Sequence, residues 1–257
     1  MRLTVLGGSA AGPNAGMACS GYLIESGTTR LVLDFGPGVL PELRRHTDFR
    51  LLSAIVISHM HLDHMLDLLA LRHALAYNPR PAPAPIPLWL PPAGAAHLAQ
   101  ATAPFDTCDE PGRFGRAIEV NEYDPEIGLG IGDLRITFAP TIHYVPGYAM
   151  RIANSSGQSL GYTGDTGPTA DLADFFTGVN ILVAESTLID GGSLPVQVRG
   201  SLTAAEAGEL ARNAGASVLV LTHMWEELGF ANYRAGAAAA FPGRIELARP
   251  GLTIAVE

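Results

Sequence analysis

The sequence predicts a mixed α/β domain, and three observations carry that reading. Short runs of β-branched or alternating apolar residues recur from residue 2 to residue 256. Longer stretches place apolar residues at helical spacing between them, as in Met65, Leu66, Leu68, Leu69, Leu71 and Leu75. At 257 residues and 47% hydrophobic composition, the chain can bury a sizeable core, so one domain spanning 1–257 is expected.

Residues 2–6, 20–25 and 29–34 read as the opening strands. The loop 7–14 between the first two is glycine-rich, but its glycines do not form Gly-x-Gly-x-x-Gly and strands rather than a helix follow, which excludes a dinucleotide cradle. Asp34 closes the third strand ahead of a glycine-rich bend. It either supports a ligating histidine or caps a helix over 39–46. His46, beside Arg44 and Arg45, has no assigned role.

The apolar run 54–57 is short and β-branched, so it predicts a buried strand that delivers its end into a loop. That loop holds Ser58-His59-Met60-His61-Leu62-Asp63-His64, three imidazoles and a carboxylate within six consecutive positions. On extended backbone His59 and His61 share a face and can grip one ion, whereas Asp63 and His64 belong to a helix start and face elsewhere. Crowding these groups without a cation would bury polar atoms that lack partners, and imidazole with carboxylate suits zinc, manganese or iron.

Prolines alternate through 79–87 and predict a stiff extended connector. Trp89 follows on a short strand and 93–101 reads as a helix, with His73 and His97 as surface or packing residues. The turn-rich stretch 102–116 is read as a lid. Strands resume at 118–120 and 134–138, joined by the glycine-rich 127–132, and the second ends just before His143. Residues 159–167 read as a strand running into a tight bend at Asp165, 181–187 as another strand, and 219–223 as a buried strand ending in His223. Thr203 with Glu206 forms a capping box for a helix over 204–214. The positive end of that helix is a candidate seat for a substrate phosphate. Residues 224–230 could form a pocket wall or a homodimer contact, and a helix over 235–241 precedes strands at 245–247 and 252–256.

The run His59 to His64, continued by Met65-Leu66-Asp67-Leu68, resembles the His-x-His-x-Asp-His motif of the metallo-β-lactamase superfamily. In this form it is similar to the phosphodiesterase branch that holds RNase Z and small cyclic-phosphodiester hydrolases, and the likeness covers nearly the whole chain. The resemblance implies an α+β four-layer αββα sandwich and a dinuclear centre for two divalent metal ions, zinc first. His143 takes the place of the third histidine, and Tyr162-Thr163-Gly164-Asp165-Thr166 looks like the motif whose aspartate bridges both metals. His59, His61, His143 and Asp165 would then hold one ion, and Asp63, His64, Asp165 and His223 the other. Such a pair brings a bound water toward ionisation near neutral pH and clamps the attacking and leaving oxygens, so hydrolysis is the implied reaction. Asp63 is a ligand and candidate catalytic base together.

Two departures bear on the substrate. Ala184-Glu185-Ser186-Thr187 is similar to the family's His-Glu-Ala-Thr, with Glu185 kept as a candidate catalytic residue. Ser201 stands where RNase Z has a histidine that assists the leaving group, and a hydroxyl is a poor general acid. Between His143 and Asp165 there is only a short link, with Arg151 as its one basic residue, where bacterial RNase Z carries a long basic arm. Formal net charge is −9 and no Arg- or Lys-rich run occurs, so nucleic acid is not the expected partner. The expectation is a small phosphodiester, with a cyclic nucleotide as one form. RNase Z-type tRNA cleavage, a lactonase or other acyl hydrolase, and a non-catalytic metal-dependent sensor are the alternatives. Cys19 and Cys108 are too few for a disulfide framework, and no signal peptide or membrane-spanning segment is read, which suits the cytoplasm.

Overall fold

The computed structural model describes residues 1–106, 114–192 and 195–256. The first half of the chain forms β1 (Arg2–Ser9), β2 (Ala18–Cys19), β3 (Gly21–Ser26), β4 (Thr29–Leu33), α1 (Val39–His46), β5 (Ala54–Val56), α2 (Leu62–Met65), α3 (Asp67–Ala76), β6 (Ile86–Leu90), α4 (Gly94–Asp106) and β7 (Ile118–Glu122). The second half forms β8 (Leu129–Ile131), β9 (Leu134–Pro140), β10 (Tyr148–Asn154), β11 (Ser159–Tyr162), α5 (Ala170–Phe175), β12 (Ile181–Glu185), α6 (Ala204–Ala214), β13 (Val218–Thr222), α7 (Phe230–Ala238), β14 (Arg244–Leu247) and β15 (Thr253–Ala255).

Two sheets result, ordered β15-β1-β3-β4-β5-β6-β7, with β2 beside β1, and β14-β13-β12-β11-β10-β9-β8. Period-two alternation sorts the first sheet's side chains between two cores. Tyr22, Ile24, Leu31, Leu33, Ala54 and Val56 join the second sheet's Ile136, Phe138, Met150, Ile152 and Tyr162 in a shared interior. Their neighbours Leu23, Val32 and Ile55 pack instead with Val39, Leu43, Leu68 and Leu71 of α1 and α3. On the far side α6 and α7 close the second sheet through Ala207, Leu210, Ala211, Tyr233 and Ala237. The layers therefore run helix, sheet, sheet, helix, the sandwich that the sequence implied.

Strand direction then fixes where chemistry can gather. In the first sheet β4, β5 and β6 are parallel, and two antiparallel steps through β3 make β1 run the same way. In the second, two antiparallel steps through β10 align β9 with β11, and β11 to β14 are parallel. The loops after β1, β4, β5, β9, β11 and β13 consequently meet along one rim. The rim is stitched where Tyr148 N–H donates to Ser58 O at 3.2 Å and His59 bridges Gly147. A Cβ on Gly147 would stand 3.3 Å from that of His59, so glycine permits the close approach.

The structure refines several expected elements. β8, β10 and α5 were not expected from the sequence. α4 extends to Asp106 and α7 begins at Phe230. The expected lid over 102–116 is split: 102–106 end α4, 114–116 form a single 3₁₀ turn, and 107–113 lie outside the described residues. Pro87, expected in the connector, lies inside β6. It faces Glu119 of β7, while β5 pairs only with Leu88 and Trp89, so its missing N–H costs no ladder bond on that side. Among the described residues no helix is long and apolar enough to cross a membrane.

Candidate metal centre

Seven side chains converge at the rim. The loop after β5 brings His59 and His61, α2 brings Asp63 and His64, and the ends of β9, β11 and β13 bring His143, Asp165 and His223. They form two groups, His59-His61-His143-Asp165 and Asp63-His64-Asp165-His223, whose ligand-type atoms all lie within 4.8 Å of one another. Asp165 belongs to both. Its Oδ2 lies 3.7 Å from His59 Nε2, 3.7 Å from His143 Nε2 and 3.4 Å from His223 Nε2, while Oδ1 lies 3.3 Å from His64 Nε2.

Hydrogen bonding behind the rings assigns their tautomers. Ser58 Oγ gives its proton to Asp34 Oδ2 at 2.8 Å, so His59 Nδ1, 3.0 Å away, donates to Ser58. His64 Nδ1 faces Asp34 Oδ2 at 2.7 Å, and His143 Nδ1 faces the Gly200 carbonyl at 2.6 Å. Thr187 Oγ1 gives its proton to Glu185 Oε2 at 2.7 Å, so His223 Nδ1, also 2.7 Å from it, donates. In its neutral form each of these four imidazoles spends its one proton outward and aims an Nε2 lone pair inward. His61 turns Nδ1 inward instead, 3.1 Å from His59 Nε2 and 3.0 Å from His143 Nε2. His64 Nε2 is buried without a hydrogen-bond partner. Lone pairs facing lone pairs beside two carboxylates are unfavourable unless a cation sits among them, and nitrogen and oxygen donors fit a divalent ion. The donor set fits the metal pair that the sequence implied.

Backbone strain concentrates here as well. Among the described residues four that are not glycine adopt left-handed backbone, and three serve the centre: Ala11 at φ 48°, Asp34 at 55° and His223 at 57°. Ala11 N–H donates to Asp63 Oδ2 at 3.0 Å, which places the loop after β1 against the centre.

The alternatives for Asp34 are resolved by its partners. Its carboxylate accepts from Ser58 N, Ser58 Oγ, His64 Nδ1 and Tyr162 Oη, the last at 2.5 Å. The helix α1 starts at Gly38 with no side-chain cap, and Asp67 reaches its first turn by accepting from Leu40 N at 2.9 Å. Tyr162, Ser58, Thr187 and the Gly200 carbonyl were not singled out from the sequence. Tyr162 had a signal, since it opens the aspartate motif.

Charge follows from burial and neighbours. Burial pushes His59 far below the usual imidazole range and His61 below it. Burial works against charge at His64 and His223 too, but Asp165 beside both, with Asp34 at His64 and Asp63 at His223, raises them. Against burial, His223, whose Nε2 stands 3.0 Å from Asp63 Oδ2, and His64 hold Asp63 well below the carboxylate range. A carboxyl held that low binds protons poorly, which suits a ligand better than a base.

Glu185 is buried, and its side-chain hydrogen bonds go to Thr166 and Thr187 rather than to the seven converging side chains. Its oxygens accept from Thr166 N at 2.9 Å, Thr187 N at 3.1 Å and Thr187 Oγ1, while burial and Asp165 push its pKa up to about 7. Ser201 is half-buried and follows Gly200, whose carbonyl receives His143. The phosphate seat expected at the start of α6 is a correction. Ala204 N–H is spent on Leu188 O at 3.1 Å, Glu206 N–H on Thr203 Oγ1 at 3.2 Å, and the Glu206 carboxylate adds negative charge at the same turn. The capping box fills the place that an anion would need.

Comparison with known proteins follows the same lines. The family described as "Beta-lactamase superfamily domain" matches residues 29–224, a span holding all seven converging side chains. The probable metallo-hydrolase YhfI of Bacillus subtilis is 31% identical over 256 residues, 98% of each chain. Its crystal structure aligns with a TM-score of 0.83 at 28% identity, covering 99% of both chains. A ribonuclease Z of Mycobacterium bovis is 30% identical over 268 residues, covering 96% of this chain and 95% of the relative. A diphosphatase of the PhnP family shares the fold, with a TM-score of 0.76 at 20% identity over 100% of this chain and 98% of its own.

Proposed function

Because the chain belongs to the beta-lactamase superfamily, in its RNase Z-like branch, and is a metal-dependent hydrolase, we propose that it is a dinuclear phosphodiesterase acting on a small phosphodiester, a cyclic nucleotide being the first candidate. The observation that carries the dinuclear reading is the set of inward-facing nitrogens and carboxylates around Asp165, with four of the five imidazoles oriented by an outer partner. His59, His61 and His143 would hold one cation, Asp63, His64 and His223 the other, and Asp165 both; zinc is the first choice, manganese or iron the alternatives. Two such cations supply a water that ionises near neutral pH and Lewis-acid polarisation of a phosphoryl oxygen. The chain's own residues do the rest. Asp34, Ser58, Thr187 and Gly200 fix ring orientation, Glu185 holds Thr187 and the Asp165 loop in place, and Ser201 is offered as a hydrogen-bond donor to the substrate.

Substrate size is argued from the link between His143 and Asp165. Residues 148–154 and 159–162 of that link are consumed by β10 and β11, which pair with each other and with β9 and β12, leaving no room for an inserted substrate-binding arm. Tyr144, 64% exposed with its ring 5.0 Å from that of His143, offers an aryl face at the mouth on which a nucleobase could stack. Cleavage of tRNA is the second reading, favoured by the ribonuclease Z relative that matches along nearly the whole chain. We further infer one catalytic domain over 1–257 in a cytoplasmic setting, with residues 224–230 as the place where a homodimer contact would form.

A panel run on the purified, metal-loaded protein tests this. Release of nucleoside monophosphate from 2′,3′- or 3′,5′-cyclic nucleotides, with lactones inert, is the expected result. Lactone opening with inert phosphodiesters would overturn the substrate class, and cleavage of precursor tRNA with inert cyclic nucleotides would restore the second reading.

A further inference from the structure

Residues 199 and 200 form a strap between the two sides of the centre. The main-chain carbonyl of Arg199 packs on Gly167, two residues past Asp165, so closely that a Cβ there would lie 1.9 Å from it. The next carbonyl, of Gly200, takes the His143 Nδ1 proton, and Gly200 N–H donates to the Tyr144 hydroxyl at 3.3 Å. Arg199 is 3% exposed and its Nη2 pairs with Glu206 Oε1. Glu206 is itself fixed, because its other oxygen accepts from Thr203 N at 2.8 Å and Thr203 Oγ1 at 2.9 Å in the α6 cap. Nη1 lies against Gly191, where any Cβ would come within 2.4 Å.

A guanidinium buried to this depth is costly to desolvate, and helix α6 would be capped by Thr203 and Glu206 without it. What the pair adds is register: it ties the strap to the start of a helix. We propose that Arg199, anchored on Glu206, is a positioning residue that holds the Gly200 carbonyl on His143 and so sets the cation affinity of the group formed by His59, His61, His143 and Asp165. The proposal rests on the dinuclear reading above. Without the anchor, His143 loses the acceptor that keeps its Nε2 lone pair inward. His64 and His223 keep theirs, because Asp34 and Thr187 back them independently. One ion of the two should therefore be affected.

The test is equilibrium dialysis against buffered Zn²⁺, with bound metal counted by mass spectrometry, on the full chain and on Arg199→Met, Arg199→Lys, Glu206→Gln, His143→Ala and the Arg199→Met/His143→Ala double variant. Two ions per wild-type chain are expected. Arg199→Met and Glu206→Gln should weaken one of them about 10–100-fold and leave the other unchanged. Arg199→Lys should recover part of the loss, and the double variant should lose no more than His143→Ala alone. Glu206→Gln keeps a side chain competent for the cap, so it carries the test if Arg199→Met does not fold. Wild-type affinity for both ions in Arg199→Met and Glu206→Gln, equal weakening of both ions, or additive loss in the double variant would overturn the proposal. A wild-type chain that binds no zinc would remove the dinuclear reading and this proposal together, and is recognised without any variant.

Discussion

Of the two ligand groups that share Asp165, the one with His64 and His223 is enclosed, whereas His61 in the other stays partly open to solvent. The enclosed group is backed by side chains two deep. His64 rests on Asp34, which is held in turn by Ser58 and Tyr162, and His223 rests on Thr187, which is held by Glu185. The open group is backed less evenly: His59 rests on Ser58 and through it on Asp34, but His143 rests on one main-chain carbonyl. The contrast teaches that one ligand group is wholly enclosed, while the other has two partly buried members, His61 and His143, at its mouth. The open site is where an ion should exchange faster and where substrate should meet metal.

The largest effect that can break this contrast is at the shared residue. Asp165→Asn should empty both sites and lower kcat/KM by more than the roughly 10–100-fold expected for an outer partner, measured by metal analysis beside steady-state kinetics. Retention of both ions would mean that Asp165 is not common to them. Asp34→Asn comes next. Asp34 touches His64 directly and His59 through Ser58, so metal affinity should fall about 10–100-fold at both sites, with a stability loss of about 1–3 kcal/mol from the partners left unpaired, read by denaturant titration. A loss confined to one site would show that the Ser58 link does not transmit.

Thr187→Val sharpens the comparison from the other side. It removes the acceptor behind His223 alone, so the enclosed ion should weaken about tenfold and the open ion should not, by the same titration. The smallest effect concerns pH. With burial and Asp165 pushing Glu185 up to about 7, the folded chain holds that proton more tightly than the unfolded chain does. Stability of metal-stripped protein should then fall as pH rises from about 4.5 through about 7, and Glu185→Gln should flatten that slope in melting curves taken across the range. An unchanged slope in Glu185→Gln would place the titration elsewhere.

Much of this was readable beforehand, for a physical reason. His59 to His64 sit in one uninterrupted run after a β-branched strand, and period two followed by a helix start sorts them between the two converging groups without coordinates. His143, Asp165 and His223 each stand alone after a strand, and only the resemblance made them ligands. Asp34 shows the limit: a carboxylate at a strand end followed by a helix can cap or can support a ligand, and the choice depends on Asp67 reaching α1 from α3, a tertiary contact that no local pattern carries. β10 was missed although turn residues bound it on both sides, since its partly buried alternation is weak. The phosphate seat failed for a different reason. Capping and an anion site compete for the same N–H groups, and here the Leu188 carbonyl takes that of Ala204 and Thr203 Oγ1 that of Glu206.

The segments from residue 59 to residue 223 are proposed to hold two cations about a shared carboxylate. The most direct measurement is the number of divalent ions per chain in protein purified without added metal, followed by turnover before and after chelation. Two ions, with hydrolysis abolished on their removal and restored on their return, is the predicted result. Fewer than one ion per chain, or turnover untouched by complete stripping, would contradict it.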